Sequence, residues 1–229
     1  MRASTLLTLA LSTSVFGRDI WGPAVSFGPS KSVIVYASTI IQPPAAPVQK
    51  KGFLTVWPGM SNGTGHLIQS TLDNFAYGTF CSGVLVKAGE WCAKASIFGR
   101  TEFPEYQHDA PGGIVKKDQM TRIEYRLGSN NIHWTQTITD VASNKTISTL
   151  TSRSEPYMRG WGTGVECQSN CNPPGLHYYL NTTIKFKKSE PGFTLGSSQG
   201  ATFTKPVSND GGITWTIAKM TIPATKKIT

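Results

Sequence analysis

Short runs in which apolar and polar residues alternate recur along this chain, separated by turn residues. In the run 177–187, Tyr178, Leu180, Ile184 and Phe186 alternate with mostly polar positions. A period of two is typical of β-strands with one face in a core, so the even positions of this run are predicted to face the core. Similar runs predict an all-β protein with strands at 32–38, 52–57, 66–72, 83–86, 91–98, 120–127, 132–140, 146–152, 177–187, 201–203 and 214–222.

Alternation also assigns faces in two other runs. In 53–57, Leu54 and Val56 share one face and Trp57 lies on the other, which predicts a second, partly covered surface. In 132–139, Trp134 and its alternate neighbours are expected in the core, opposite a row of threonines. A jelly-roll β-sandwich is the predicted architecture.

The first 17 residues have the features of a secretory signal peptide. A single positive charge at Arg2 precedes an apolar run, and small residues precede a plausible cut after Gly17. We therefore expect a secreted protein without a membrane anchor. Residues 18–229 are expected to form one β-sandwich domain, with an irregular arm at 18–30.

Export changes the interpretation of the four cysteines, since an oxidising compartment favours disulfides. Of the three possible pairings, the local one is favoured, Cys81 with Cys92 and Cys167 with Cys171, because each pair brackets a short turn. A zinc site is the weaker alternative, since the spacing of these cysteines does not match a metal motif.

Three sequons predict glycosylated surface positions at Asn62, Asn144 and Asn181. The formal charge of +9 could indicate a nucleic-acid partner, but the basic residues are scattered doublets without interleaved aromatic residues. We expect no nucleic-acid partner, no membrane partner and no cofactor. Asn209-Asp210-Gly211 is interpreted as a hairpin turn rather than half of a calcium loop, and no metal site is predicted.

Motifs of hydrolytic chemistry are weak in this sequence. No short motif places two carboxylates on one strand face, and no GxSxG elbow is present. The aromatic residues are more informative, because Trp and Tyr can line pockets for apolar or sugar rings. Residues 157–167 combine glycines with Arg159, Trp161 and Glu166, and are predicted to form a loop at the rim of a pocket.

Several of these segments together resemble the glutamic peptidases, secreted fungal enzymes with a concanavalin-A-like β-sandwich. They are Trp57-x-Gly59-Met60, Leu67-Ile68-Gln69, Glu90-Trp91 and residues 118–148. The resemblance implies that Gln69 stands at the catalytic glutamine and Trp57 at a tryptophan of the cleft. The catalytic glutamate has no clear counterpart, since the segment 162–167 offers only a displaced Glu166.

A second resemblance is to fungal hetero-Diels-Alderases of secondary metabolism, through the runs WPG…LIQ, GEWC…ASIFG and GTGxEC…C. It carries no catalytic signature. A cycloaddition catalyst needs only to hold its partners in a reactive geometry and to donate hydrogen bonds to a polarised oxygen.

Three hypotheses for function follow. The first is a cofactor-independent pericyclase that joins a polyketide-derived partner to a terpene. The second is a carbohydrate-binding, lectin-like protein or a degraded glycoside-active sandwich, and the third is a divergent glutamic peptidase using Gln69 and Glu166. In the first, the substrate is a small apolar molecule, and the residues expected to bind or orient it are Trp57, Trp91, Trp161, Tyr179, Gln69 and Arg159.

Overall fold

The computed structural model of the protein describes residues 19–63, 65–154, 157–193 and 195–228. The predicted signal peptide lies outside these residues. In the described part of the chain all regular structure is β, without a helix. The strands are β1 (Asp19–Trp21), β2 (Ala24–Phe27), β3 (Ile34–Gln42), β4 (Phe53–Ser61), β5 (Leu67–Asn74), β6 (Phe80–Cys81), β7 (Val84–Leu85), β8 (Trp91–Phe98), β9 (Gln107–Asp109), β10 (Gly113–Val115), β11 (Thr121–Leu127), β12 (His133–Asp140), β13 (Thr146–Arg153), β14 (Gly160–Gln168), β15 (His177–Phe186), β16 (Leu195–Gln199), β17 (Thr202–Phe203) and β18 (Thr214–Ile222).

Two large antiparallel sheets form a sandwich, as predicted. The nine-stranded sheet has the order β10-β8-β5-β4-β14-β2-β16, with β1 added to β14 and β9 to β8. The seven-stranded sheet has the order β13-β12-β11-β3-β15-β18-β17. A separate two-stranded hairpin, β6-β7, lies between β5 and β8 in the chain.

The core lies between the two sheets and is rich in aromatic residues. Trp91, Trp134, Trp161 and Tyr125 are all fully buried there. Burial of one such side chain contributes about 2 to 3 kcal/mol. The hydroxyl of Tyr125, on the seven-stranded sheet, donates a hydrogen bond of 2.7 Å to the carbonyl of Pro58 on the nine-stranded sheet. The two sheets are therefore joined by a polar contact inside the apolar core.

The predicted core face of 177–187 is correct only for the second half of strand β15. Thr182, Ile184 and Phe186 are buried, but in the first half it is His177 and Tyr179 that are buried. The pairing register shifts between Leu180 and Thr183, and Asn181 has a φ of 50°. This bulge exchanges the two faces of the strand, because one extra residue reverses the alternation.

Strand β14 occupies a central position where the sequence predicts a loop. It pairs with β4 along its whole length, from Gly160 to Gln168. Gly164 has a structural reason to be glycine, since an added Cβ would lie 2.5 Å from the indole of Trp57. The N-terminal arm also differs from its prediction, because it contributes β1 and β2, which both pair with β14.

Both predicted disulfides are confirmed: Cys81 bonds to Cys92 and Cys167 to Cys171. Two disulfides are typical of extracellular or secretory proteins. Of the sequon asparagines, Asn144 and Asn181 are exposed and Asn62 is half-buried, and their glycosylation stays a prediction. Among the described residues, we find no helix with the length and hydrophobicity that a membrane span requires.

Candidate functional site

The nine-stranded sheet has a polar face that is nevertheless buried. In β4 and β5, Leu54, Val56, Ile68 and Leu72 point into the core between the sheets. The residues that alternate with them lie on the opposite side, which we call the outer face. This set is largely polar, and each member is at most 6% exposed; it comprises Thr55, Trp57, Gln69, Thr71 and Asp73.

One row of the outer face brings two carboxyl groups together. The pairing registers place Glu166 of β14 opposite Thr55 of β4, and Thr55 opposite Asp73 of β5. Residues directly opposite in antiparallel strands point to the same face. Two interstrand spacings put the Cα atoms of Glu166 and Asp73 roughly 10 Å apart. We call the series Glu166, Thr55, Asp73 the carboxyl row.

Glu166 is a half-buried acid with a perturbed pKa. Burial raises the pKa of its carboxyl, and the negative charges of Asp19 and Asp73 raise it further. Hydrogen bonds oppose this shift: the indole Nε1 of Trp57 donates to Oε2 at 3.3 Å, and Nε2 of Gln168 donates to Oε1 at 3.2 Å. The group is therefore both desolvated and held in a fixed orientation.

Asp73 belongs to a second charged cluster. The Lys94 ammonium lies 2.8 Å from Asp73 Oδ2 and 2.7 Å from Asp109 Oδ2. These carboxylates hold the pKa of Lys94 above its usual range, so it stays charged. One ammonium cannot compensate two carboxylates fully, and the two respond differently. Burial is the largest effect on Asp73 and raises its pKa, whereas at the more exposed Asp109 the charge of Lys94 lowers the pKa.

Two tryptophans flank the carboxyl row. Trp57 is 3% exposed, and its ring meets that of Trp21 edge to face, with centroids 6.1 Å apart. Trp21 is paired with Glu166 in the register of β1 and β14. The arm therefore supplies an aromatic wall to the site.

Gln69 lies on the same outer face but in a different row. Its register partners are Gly59 on β4 and Ser96 on β8, and Gly59 in turn faces Gly162 on β14. Glu166 is four residues further along β14, which corresponds to roughly 13 Å. Gln69 and Glu166 therefore do not form a pair. The amide oxygen of Gln69 is buried and has no hydrogen-bond partner among the described residues.

The other predicted binding residues do not share this surface. Trp91, Trp161 and Tyr179 belong to the core between the sheets. The Trp91 indole donates a hydrogen bond of 2.8 Å to the carbonyl of Pro44. Arg159 is exposed and precedes β14 at the position that alternates away from the outer face. Of the residues proposed for substrate or catalysis, only Trp57, Gln69 and Glu166 lie on the outer face.

Sequence reasoning missed Asp73, Lys94, Asp109 and Trp21. The sequence did contain a signal for Asp73, because Gln69, Thr71 and Asp73 occupy every second position of β5 and therefore share one face. Its neighbour Glu166 is 93 positions away in sequence (166 − 73), so the pair becomes visible only through the strand pairing. Among the described residues, no three His, Cys, Asp or Glu side chains are grouped as a metal site.

Comparison with known proteins shows the fold. No family model and no curated protein matches the chain. The fold is that of scytalidoglutamic peptidase. A structure of that enzyme with a peptide-based transition-state analogue superposes with a TM-score of 0.51 at 13% identity, over 88% of this chain and 98% of that one. Another, with a transition-state analogue inhibitor, gives a TM-score of 0.52 at the same identity and coverage. The concanavalin-A-like sandwich is thereby confirmed.

Proposed function

We propose that the protein is an acid-acting hydrolase, a divergent relative of the glutamic peptidases, whose catalytic groups are Glu166 and Asp73. The observation that carries this proposal is the carboxyl row: two desolvated acids with raised pKa values face one surface. Groups with perturbed pKa values on a shared face are typical of active sites. Asp73 takes the role that the family resemblance implies for Gln69.

The two acids have different surroundings, which suggests different roles. Lys94 contacts Asp73 and favours its ionised form, so Asp73 suits a general base that accepts a proton from water. Glu166 has no ion-pair partner within the described part of the chain, and the charges of Asp19 and Asp73 raise its pKa beyond the effect of burial. It suits a general acid that donates a proton to the leaving group. The two roles together require a pH at which Asp73 is ionised while Glu166 keeps its proton, and we expect that pH to be acidic.

A peptide is the substrate that we favour. The fold is shared with a peptidase that was solved with a peptide-based transition-state analogue. The extent of the row also matches a linear substrate, because the register of Glu166, Thr55 and Asp73 continues to Cys92 of β8. Three interstrand spacings give roughly 14 Å, the length of about four extended residues.

Acid proteolysis tests the proposal. The purified protein is assayed on denatured protein between about pH 3 and pH 7. We expect cleavage at acid pH and a loss of about 100-fold or more in kcat/KM for Glu166→Gln and for Asp73→Asn, the usual contribution of a general acid or base. Glu105→Gln, an exposed carboxyl in another loop, is the matched control and should keep full activity. Thermal melts establish that each variant is folded.

Gln69→Ala separates this assignment from the one that the family resemblance implies. We expect activity within a few-fold of the unchanged protein, because Gln69 lies outside the carboxyl row. Abolition of activity by Gln69→Ala, with Asp73→Asn active, would contradict the proposal. So would the absence of cleavage at every pH.

A carbohydrate substrate is the second candidate, and the two tryptophans favour it. Trp21 and Trp57 stand beside a carboxyl pair, and aromatic rings of this kind also stack on sugars. Glycosidases likewise use two carboxyl groups. The same preparation, assayed on soluble glucan and chitin oligosaccharides, distinguishes the two substrates.

The pericyclase hypothesis gains no support from the geometry. It requires Trp57, Trp91 and Trp161 around one pocket, whereas Trp57 lies on the outer face and the other two lie in the core.

A further inference from the structure

A disulfide-closed hairpin beside the carboxyl row exposes an unusual amount of apolar surface. It spans residues 75–92, and the bond between Cys81 and Cys92 closes it. Tyr77 and Phe80 are each 66% exposed, and Val84 and Leu85 are about half exposed. Phe80 and Leu85 lie opposite each other in the hairpin and therefore share one face, where they form an exposed apolar patch of the kind that marks binding sites.

The exposed conformation of this hairpin is held in place by internal bonds. Main-chain hydrogen bonds join Gly78 to Val86 and Val86 to Thr79. The Ser82 hydroxyl accepts a hydrogen bond of 2.7 Å from the amide of Gly112, which ties the tip to the neighbouring loop. Because the hairpin cannot readily collapse onto the sheet, its apolar surface is preorganised for a partner.

Beneath the hairpin is a cleft of about 360 Å³. We call it the hairpin cleft. This volume is near the lower end of the roughly 300 to 1,000 Å³ typical of small-ligand sites. Its walls are about equally polar and apolar, and its charged groups, Lys94 and Asp109, already pair with each other. It therefore suits an apolar group better than an ion. The cleft is lined by Phe75, Phe80, Ser82, Lys94, Asp109 and the disulfide, among other residues.

The hairpin cleft continues the carboxyl row. Cys92 is the register partner of Asp73, and Lys94 both contacts Asp73 and lines the cleft. The Lys94 ammonium also lies 5.6 Å from the centre of the Phe75 ring. A linear substrate that crosses Glu166, Thr55 and Asp73 in order reaches the hairpin cleft at the next strand.

From this continuity we propose that the hairpin cleft is a specificity subsite, which binds one large apolar side chain of the peptide substrate. The inference rests on the proposed function for the identity of the substrate. Phe80 is the side chain that distinguishes a large apolar group from a small one. Leu85, its cross-strand partner on the same hairpin, does not line the cleft.

A binding experiment tests the subsite without relying on catalysis. The full chain carrying Glu166→Gln is titrated with N-acetyl-phenylalaninamide and, separately, with N-acetyl-alaninamide, and backbone amide shifts are followed by NMR. We expect shifts at Ser82, Lys94 and Ala110 with the phenylalanine probe only. Phe80→Ser should weaken its apparent Kd about threefold to tenfold, the contribution of one aromatic contact. Leu85→Ser, the matched control, should leave that Kd within about twofold.

Three results would overturn the subsite. The first is equal shifts with both probes, and the second is a Kd that Phe80→Ser does not change. The third is a concentration-dependent shift of the same amides without a probe, which would assign the patch to a second copy of the chain. If denatured protein is not cleaved but the phenylalanine probe binds as expected, the proposed function fails and the subsite stands. If cleavage occurs, mapped sites should lie at a fixed distance from large apolar residues, and Phe80→Ser should raise KM without lowering kcat.

Discussion

The two faces of the nine-stranded sheet are equally buried and chemically opposite. On the inner face of β5, Ile68 and Leu72 are fully buried in the core. On the outer face of the same strand, Gln69, Thr71 and Asp73 are 3 to 6% exposed. A desolvated polar group without a full set of hydrogen bonds costs about 1 to 3 kcal/mol. The inner face therefore stabilises the fold, whereas the outer face costs stability, as active sites commonly do.

Removal of an inner-face side chain should have the largest effect on stability. Leu72→Ala leaves a cavity between the sheets, and we expect a loss of about 2 to 5 kcal/mol in the free energy of unfolding. Denaturant unfolding monitored by tryptophan fluorescence measures it. A loss below about 1 kcal/mol would mean that this face is not the main core.

The core and the outer face should respond to acid with opposite signs. On β15 of the seven-stranded sheet, which encloses the core from the opposite side, burial lowers the pKa of His177 to about 4 from its ordinary value of 6.5. Between those values the unfolded chain binds a proton that the folded chain does not, so stability falls as the pH is lowered through this window. The loss is about 3 kcal/mol in all. Unfolding curves of the protein and of His177→Gln across this range measure it; a variant with the same pH dependence as the unchanged protein would contradict the assignment.

A smaller gain in stability is expected on the outer face. The Thr71 hydroxyl is buried and has no hydrogen-bond partner among the described residues. Thr71→Val replaces it with a methyl group of similar shape, so we expect the free energy of unfolding to rise by about 1 kcal/mol. Thr135→Val is the control, since that hydroxyl is hydrogen-bonded to Thr151 and should not gain. If Thr71→Val instead destabilised the protein, the Thr71 hydroxyl would have to make a hydrogen bond in solution, and the prediction would fail.

The smallest effect is a difference in melting temperature that depends on pH. Because the pKa of Glu166 is raised in the folded state, its contribution to stability is present below its unfolded pKa and is lost as the pH rises through the folded pKa. Glu166→Gln should therefore raise the melting temperature at pH 7 relative to the unchanged protein, with a smaller difference near pH 4. A difference that is constant with pH would show that Glu166 is not desolvated.

Most strands could be predicted from the sequence because their side chains alternate. Strand β14 could not, since Gly160, Gly162 and Gly164 stand at its outer-face positions and remove the polar half of the pattern. Trp57 lies against Gly164, a tertiary contact that the glycine alone does not reveal. The faces in the first half of β15 were also predicted wrongly. The bulge at Asn181 that exchanges them is visible only in the pairing of β15 with its neighbour β3.

The candidate site was harder to predict than the fold. The disulfides could be inferred because each joins residues at most 11 positions apart. Trp57, Gln69 and Glu166 were predicted as site residues and all lie on the outer face, but Gln69 and Glu166 lie in different rows of it, and their roles stay predictions. Asp73 became a candidate only when the register placed it in the same row as Glu166, two strands away. Sequence patterns assign a residue to a face, whereas strand pairing decides which residues on that face meet.

The most direct test of the central claim is a double-mutant cycle on acid proteolysis with Asp73→Asn, Glu166→Gln and the double variant. If the two carboxyl groups act as one catalytic unit, each single variant loses about 100-fold or more in kcat/KM, and the double variant loses no more than the worse single variant. Losses that multiply in the double variant, or full activity in either single variant, would contradict the account.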